Sequence, residues 1–242
     1  MSPRKTAVVI GAGPGLGMSI AHRFGRAGHA VALISRSDER HAGYRADLAE
    51  AGVEAASYTA DVSDRDRILG VLDAVTARFG TIDVVYYGPG AADLSAMPVP
   101  ITQTGSDDVR QAMRWVYPAV DVVAKVLPEM TKRGDGGLLF AGGLSSVVPM
   151  PFLGGLAVSS AALRNYALTL NAGLAEQGVY AGTLTIGGLV ERGDIHTMLT
   201  SQPERFGDIA TLDPDDIAET AYRMYTERDR AETTFNALAA EV

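Results

Sequence analysis

The sequence predicts an α/β fold: a single doubly wound domain whose parallel sheet of about seven strands carries helices on both faces. Three observations predict it. Short, continuous apolar runs bounded by glycine or charge recur along the chain and read as strands buried on both faces. Stretches with apolar residues at helical spacing separate these runs. No Pro/Gly/Ser-rich linker and no internal repeat breaks the alternation, so the 242 residues are expected to form one domain, 1–242.

The elements follow in order. AVVI (7–10) is the first strand, and it runs directly into GAGPGLG. Beyond the glycines, Leu16, Ile20 and Phe24 form one stripe of a helix. AVALI (30–34) and AASYTA (55–60) are the second and third strands. In SDRDRILGVLDAVTARF (63–79), Ile68, Leu72, Val75 and Phe79 share a helix face, and Ser63 with Asp66 three residues on reads as a capping-box start. IDVVYY (82–87), GLLFA (137–141) and AGTLTI (181–186) are the fourth to sixth strands, with helical segments at 106–130 and 153–177 flanking the fifth. Asp213, Pro214 and Asp216 supply an N-cap, a proline at the first helical position and an early acid, which opens a helix over DIAETAYRMYTER. A seventh short strand is expected in AETTFNAL (231–238). The stretch 190–212 has no clear period; a loop of that length in a compact domain is usually functional, and it is expected to be a substrate lid.

Composition narrows the partners. The net charge is −8 and the basic residues are scattered, which argues against nucleic acid or an anionic membrane surface. There is no cysteine, so a disulfide scaffold and a thiolate metal site are excluded; no cluster has metal-ligand spacing, and no metal is expected. The apolar run after MSPRK is too short for a signal-peptide core, and no stretch approaches the length that spans a bilayer. A cytoplasmic setting and a small-molecule partner are expected.

The loop after the first strand carries Gly11, Gly15 and Gly17. A helix N-terminus offers free N–H groups and a partial positive charge to a phosphate, and glycines let the backbone come close to it. The reading is a dinucleotide site on a Rossmann-type domain. G-x-G-x-x-G is not satisfied; G-x-x-x-G-x-G is, and this resembles the cofactor loop of the short-chain dehydrogenases/reductases. Smaller signatures in register extend the resemblance over nearly the whole chain. Asp61 and Val62 in ADV match the pair beside the adenine, Gly88 and Gly90 lie in YGPG where the family has Asn-Asn-Ala-Gly, LPEM (127–130) matches the end of the long fourth helix, and Gly187 in IGGLV stands at the family's Pro-Gly. The resemblance implies that Gly11, Gly15, Leu16, Gly17, Asp61, Val62, Gly88, Gly90 and Gly187 contact the cofactor. It also implies a homodimer or homotetramer assembled through the helical segments 106–130 and 153–177, where Ala119, Val123, Val126, Ala161, Ala162 and Ala167 supply small and apolar surface.

The second strand ends in LISRSDER. Ser35 stands where an acid would bind the ribose diol of NAD, and Arg36 follows it; a guanidinium pairs with the 2′-phosphate, and Ser35 and Ser37 can add hydrogen bonds, so the expected cofactor is NADP(H).

The family's catalytic set is a Tyr, a Lys four residues on, a Ser about thirteen residues before the Tyr and an Asn in the fourth helix. Aligning AAL (161–163) places Leu156 at the Tyr, Ser160 at the Lys, Gly143 at the Ser and Trp115 at the Asn. No tyrosine lies between Tyr117 and Tyr166 and no lysine follows Lys132, so another register does not restore the set. The sequence resembles a divergent member that keeps the cofactor fold without these residues. Ser145 beside Ser146, Tyr117 and His196 are the candidate substitutes, His196 for acid–base work and Ser145 for polarising a carbonyl; Tyr86 and Tyr87 end the fourth strand beside the cleft. Three readings stay open: an oxidoreductase with a non-standard proton source, a non-redox enzyme (cyclase, isomerase or dehydratase) on the same scaffold, or an inactive NADP(H)-sensing protein or pseudo-subunit.

Overall fold

The computed structural model describes residues 4–89, 98–207 and 209–238. Its strands are β1 (Thr6–Ile10), β2 (Ala30–Ser35), β3 (Ala55–Thr59), β4 (Val84–Tyr87), β5 (Gly136–Gly143), β6 (Val179–Gly187), the two-residue β7 (Leu189–Val190) and β8 (Thr211–Leu212), and β9 (Glu232–Asn236). Among the described residues seven of them form one sheet in the order β3-β2-β1-β4-β5-β6-β9, parallel at every pairing, and β7 pairs with β8 apart from it. The seventh strand expected in 231–238 is β9.

Alternate residues of each central strand enter opposite layers, as the period of two dictates. Val8 and Ile10 of β1, Ile34 of β2 and Phe140 of β5 pack against α3 (Arg65–Phe79), α5 (Tyr117–Arg133) and α6 (Gly155–Gly173). Ala7 and Val9 of β1, Leu33 of β2 and Leu139 of β5 pack against α1 (Leu16–Arg26), α2 (His41–Glu50) and α9 (Pro214–Glu227). Every strand residue from Ala7 to Ile10 is buried, which is why the sequence reads as an unbroken apolar run there. The stripe of α1 is seated as expected, with Ile20 and Phe24 fully buried and Leu16 partly so.

Three expectations are corrected. Ser63 does not cap α3: its hydroxyl and amide both donate to Asp61, at 2.7 and 2.8 Å, and Asp64 is the N-cap, accepting from the Arg67 amide at 3.0 Å. The segment 106–130 is two helices, α4 (Ser106–Met113) and α5, because the chain turns at Arg114–Val116 and restarts with Pro118 in the first turn. The stretch 190–212 holds α7 (Asp194–Thr200) and α8 (Pro203–Phe206) between β7 and β8, elements too short to leave a period. Asp213 caps α9 as read, accepting from the Asp215 amide at 2.8 Å.

The surface expected to join subunits is also redistributed. Ala119, Val123, Val126 and Ala167 lie in the chain's own core. The large apolar side chains left exposed on α5 and α6 are Tyr117, Val120 and Val158.

Candidate active site

Connections leave β1 toward β2 on one side and return to β4 on the other, so the sheet has its topological switch between β1 and β4, and a crevice opens beyond their C-terminal ends. The loop from Gly11 to Gly15 lies in that crevice. Gly11 has φ +93°, and a methyl group on it would lie 2.5 Å from Gly88 O. Methyl groups on Gly17 and Gly15 would meet Gly11 O at 2.5 Å and Glu191 O at 2.9 Å. These three glycines are required by backbone packing. Gly13 differs: a methyl there would meet no protein atom within 4 Å, so its Cα borders open crevice. α1 begins just beyond, with no acid and no side-chain cap at its start; the Met18 amide donates to Gly13 O at 3.0 Å. Gly88 and Gly187 are likewise packed, against the Tyr86 hydroxyl and the Leu144 side chain. Gly90 lies outside the described residues.

One end of the crevice is a cavity of about 320 Å³ lined by Ser35, Arg36, Ser37, Val62, Arg40 and the glycine loop. Arg36 makes no hydrogen bond or ion pair with a described residue. The Ser35 hydroxyl lies 2.8 Å from Ser37 O and 2.6 Å from His41 Nε2. Its one proton goes to the carbonyl, so the imidazole donates from Nε2 and Ser35 has no further proton to offer a ligand. Arg40 reaches across the mouth to Asp194 of α7, with nitrogen–oxygen distances of 2.9 Å. Asp61 is occupied by the Ser63 amide and hydroxyl, which hold its carboxyl below the usual carboxylate range. It faces a neighbouring cavity of about 390 Å³ together with Arg36 and Arg114.

At the other end the cleft has a volume of about 460 Å³. Trp115, Gly143, Leu156 and Ser160, the four positions of the missing catalytic set, all line it, as do Ser145 and Tyr86. Tyr86 is buried, and burial pushes its hydroxyl pKa up. Tyr87 is fully buried and donates to Trp115 O at 2.8 Å, tying β4 to the turn between α4 and α5. Tyr117 is 56% exposed at the start of α5 and does not line the cleft. His196 is half-buried on α7 and does not line it either; α7 reaches the cleft through Asp194 and Ile195. Among the described residues no group of His, Cys, Asp and Glu could hold a metal ion, and no helix is long and apolar enough to cross a membrane.

A model of the short chain dehydrogenase family matches residues 5–197. The chain belongs to that family. A short chain dehydrogenase of Pseudocercospora fijiensis is 28% identical over 189 residues, which are 76% of this chain and 59% of that protein. A metagenomic short-chain oxidoreductase solved in complex with NADP aligns with TM-score 0.78 at 20% identity over 98% of both chains. A short chain oxidoreductase of Pseudomonas aeruginosa PAO1, solved in its apo form and described as containing an atypical catalytic center, aligns with TM-score 0.83 at 18% identity over 99% of this chain and 98% of its own.

In this member of the family the crevice has the features a dinucleotide needs on the chain's own geometry: an open Cα at Gly13, a helix N-terminus beside it and a cation without a bound carboxylate at Arg36. Sequence reasoning left Gly13, Arg40, His41 and Asp194 unassigned. Gly13 was hidden because the motif is written on its neighbours. The other three meet their partners only after folding, although His41 six residues after Ser35 is a spacing that a strand–turn–helix connection brings together.

Proposed function

We propose that the chain is an NADP(H)-dependent oxidoreductase that acts on a neutral small molecule and does so without the family's Tyr–Lys proton donor. It does so as one domain, with 190–212 covering the substrate side, in a cytoplasmic homodimer or homotetramer. The observation that carries the reading is the pairing of a phosphate-ready crevice at Gly13 with a cleft whose Tyr and Lys positions are Leu156 and Ser160. Arg36 and Ser37 would hold the 2′-phosphate, Val62 the adenine face, and the Gly11–Gly17 loop the pyrophosphate. Gly88 would border the remaining cofactor surface. The cofactor, when bound, supplies a hydride. The chain's own contribution is to orient the acceptor among Leu153, Leu156 and Leu163. The NADP-bound and atypical-center neighbours agree with this reading.

The test has two parts. Calorimetry with NADPH and NADH measures the cofactor preference, and Gly13→Val repeats it. The Cβ added at this position meets no protein atom within 4 Å, so the variant is expected to keep the native melting temperature and to lose cofactor affinity by at least tenfold. Nicotinamide absorbance is then followed with aldehydes, ketones, enones and imines. Tight binding without transfer to any acceptor would move the weight to a non-redox or sensing role.

A further inference from the structure

We propose that the Ser145 and Ser160 hydroxyls together hold the carbonyl oxygen of an α,β-unsaturated carbonyl substrate, and that the bond reduced is its C=C. The proposal rests on the NADP(H) reading and names the substrate class of that site.

The geometry begins at Gly143. A methyl group there would lie 3.4 Å from Ser145 Oγ and 3.5 Å from Ser160 Oγ, so both hydroxyls border one point on the cleft wall. Ser145 comes from the turn after β5 and Ser160 from the second turn of α6. Helical serines commonly return their proton to the preceding turn. Ser159 does so, donating to Leu156 O at 3.1 Å. Ser160 does not; neither its hydroxyl nor that of Ser145 bonds to a described residue. Two uncommitted donors facing one point in an apolar cleft form an oxyanion site.

The donor type selects the chemistry. An alcohol can stabilise a developing oxyanion but is too weak an acid to neutralise a localised alkoxide. A plain ketone would leave that alkoxide. A conjugated carbonyl spreads the charge over oxygen and the α-carbon, where two hydrogen bonds suffice. The β-carbon accepts the hydride and its electron pair from NADPH, the C=C pair moves toward the carbonyl, and water protonates the α-carbon, leaving NADP⁺, the saturated carbonyl and hydroxide. Charge excludes other acceptors. Among the described lining residues the only charged one is Asp194, already paired with Arg40, so neither a carboxylate substrate nor an iminium cation finds a counter-charge.

The probe for the oxyanion site is 4-nitrophenol, whose absorbance separates the neutral and anionic forms. Bound to the NADP⁺ complex it is expected to be more ionised than in solution, and Ser145→Ala and Ser160→Ala are each expected to weaken it about tenfold or more. With 4-deuterated NADPH, cyclohexenone is expected to gain deuterium at its β-carbon while cyclohexanone stays unreduced, and each alanine variant lowers that rate about 10²-fold or more. Phenolate binding indifferent to both substitutions, or deuterium at the carbonyl carbon, overturns the proposal while leaving the cofactor reading intact. A fluorescence titration in which NADPH does not bind overturns both.

Discussion

At Arg36 a guanidinium lines one end of the crevice, free of the carboxylates of Asp38 and Glu39 that follow it in sequence. A charge-assisted hydrogen bond is worth about 1.5–3 kcal/mol. Arg36→Ala is therefore expected to weaken NADPH by about tenfold or more in calorimetry and to leave NADH nearly unchanged; equal loss for both would refute the assignment. The place of Arg36 on the crevice was legible in the sequence because it is local: a strand end, one position, one charge. The same holds for the absence of Tyr and Lys from Leu156 and Ser160, which the cleft brings together with Gly143 and Trp115. Tyr117 and His196 were misleading for the opposite reason. Side-chain chemistry nominates them, but only the course of α5 and α7 decides that neither lines the cleft.

Among the elements, the strands and long helices were legible and the 190–212 segment was not. Two-residue strands and helices of seven and four residues carry no periodicity; they are held from outside. Arg192 reaches Asp213 and Asp215, both at 2.9 Å, and Thr211 donates to Glu191 at 2.7 Å. The Arg40–Asp194 pair fastens α7 to the start of α2 across the cofactor cavity. Both partners are about half exposed, so the pair contributes little to stability, at most about 1 kcal/mol. Its effect is expected in rate: Asp194→Asn should speed NADP(H) release up to about fivefold in stopped flow while the melting temperature holds. A slower release would mean that the pair obstructs the bound state.

For the whole molecule, acid is expected to weaken the fold before the carboxylates titrate. His22, His29 and His41 all have pKa values lowered, chiefly by burial. At His29 the ring pairs with Phe24 O at 3.2 Å through Nδ1, leaving Nε2 buried without a partner, where a proton is unwelcome. The unfolded chain takes up protons first, near the ordinary value of about 6.5. Stability is thus full above that pH and falls as pH drops through it toward the lower folded values. Thermal melts at pH 8 and 5.5 measure the slope, and His29→Gln should flatten it. Tyr117, Val120 and Val158 on α5 and α6 are the surface from which self-association is expected, and light scattering at micromolar concentration should give a dimer or tetramer. Val120→Glu should shift that toward monomer.

The sheet's last strand decides how such association proceeds. β9 is five residues long, mostly polar, and covers the open flank of the nine-residue β6. Its first residue, Glu232, is bound by Arg164 of α6 at 2.6 and 2.7 Å and by Thr185 of β6 at 2.7 Å, and the arginine holds the carboxyl below its usual range. A strand flank of unpaired amides and carbonyls is a template for runaway pairing between molecules, and a short polar strand pinned over it leaves a shorter, less adhesive edge. Without β9 the long apolar β6 would lie open, and the chain would be prone to fibrous aggregation instead of closed, countable assemblies.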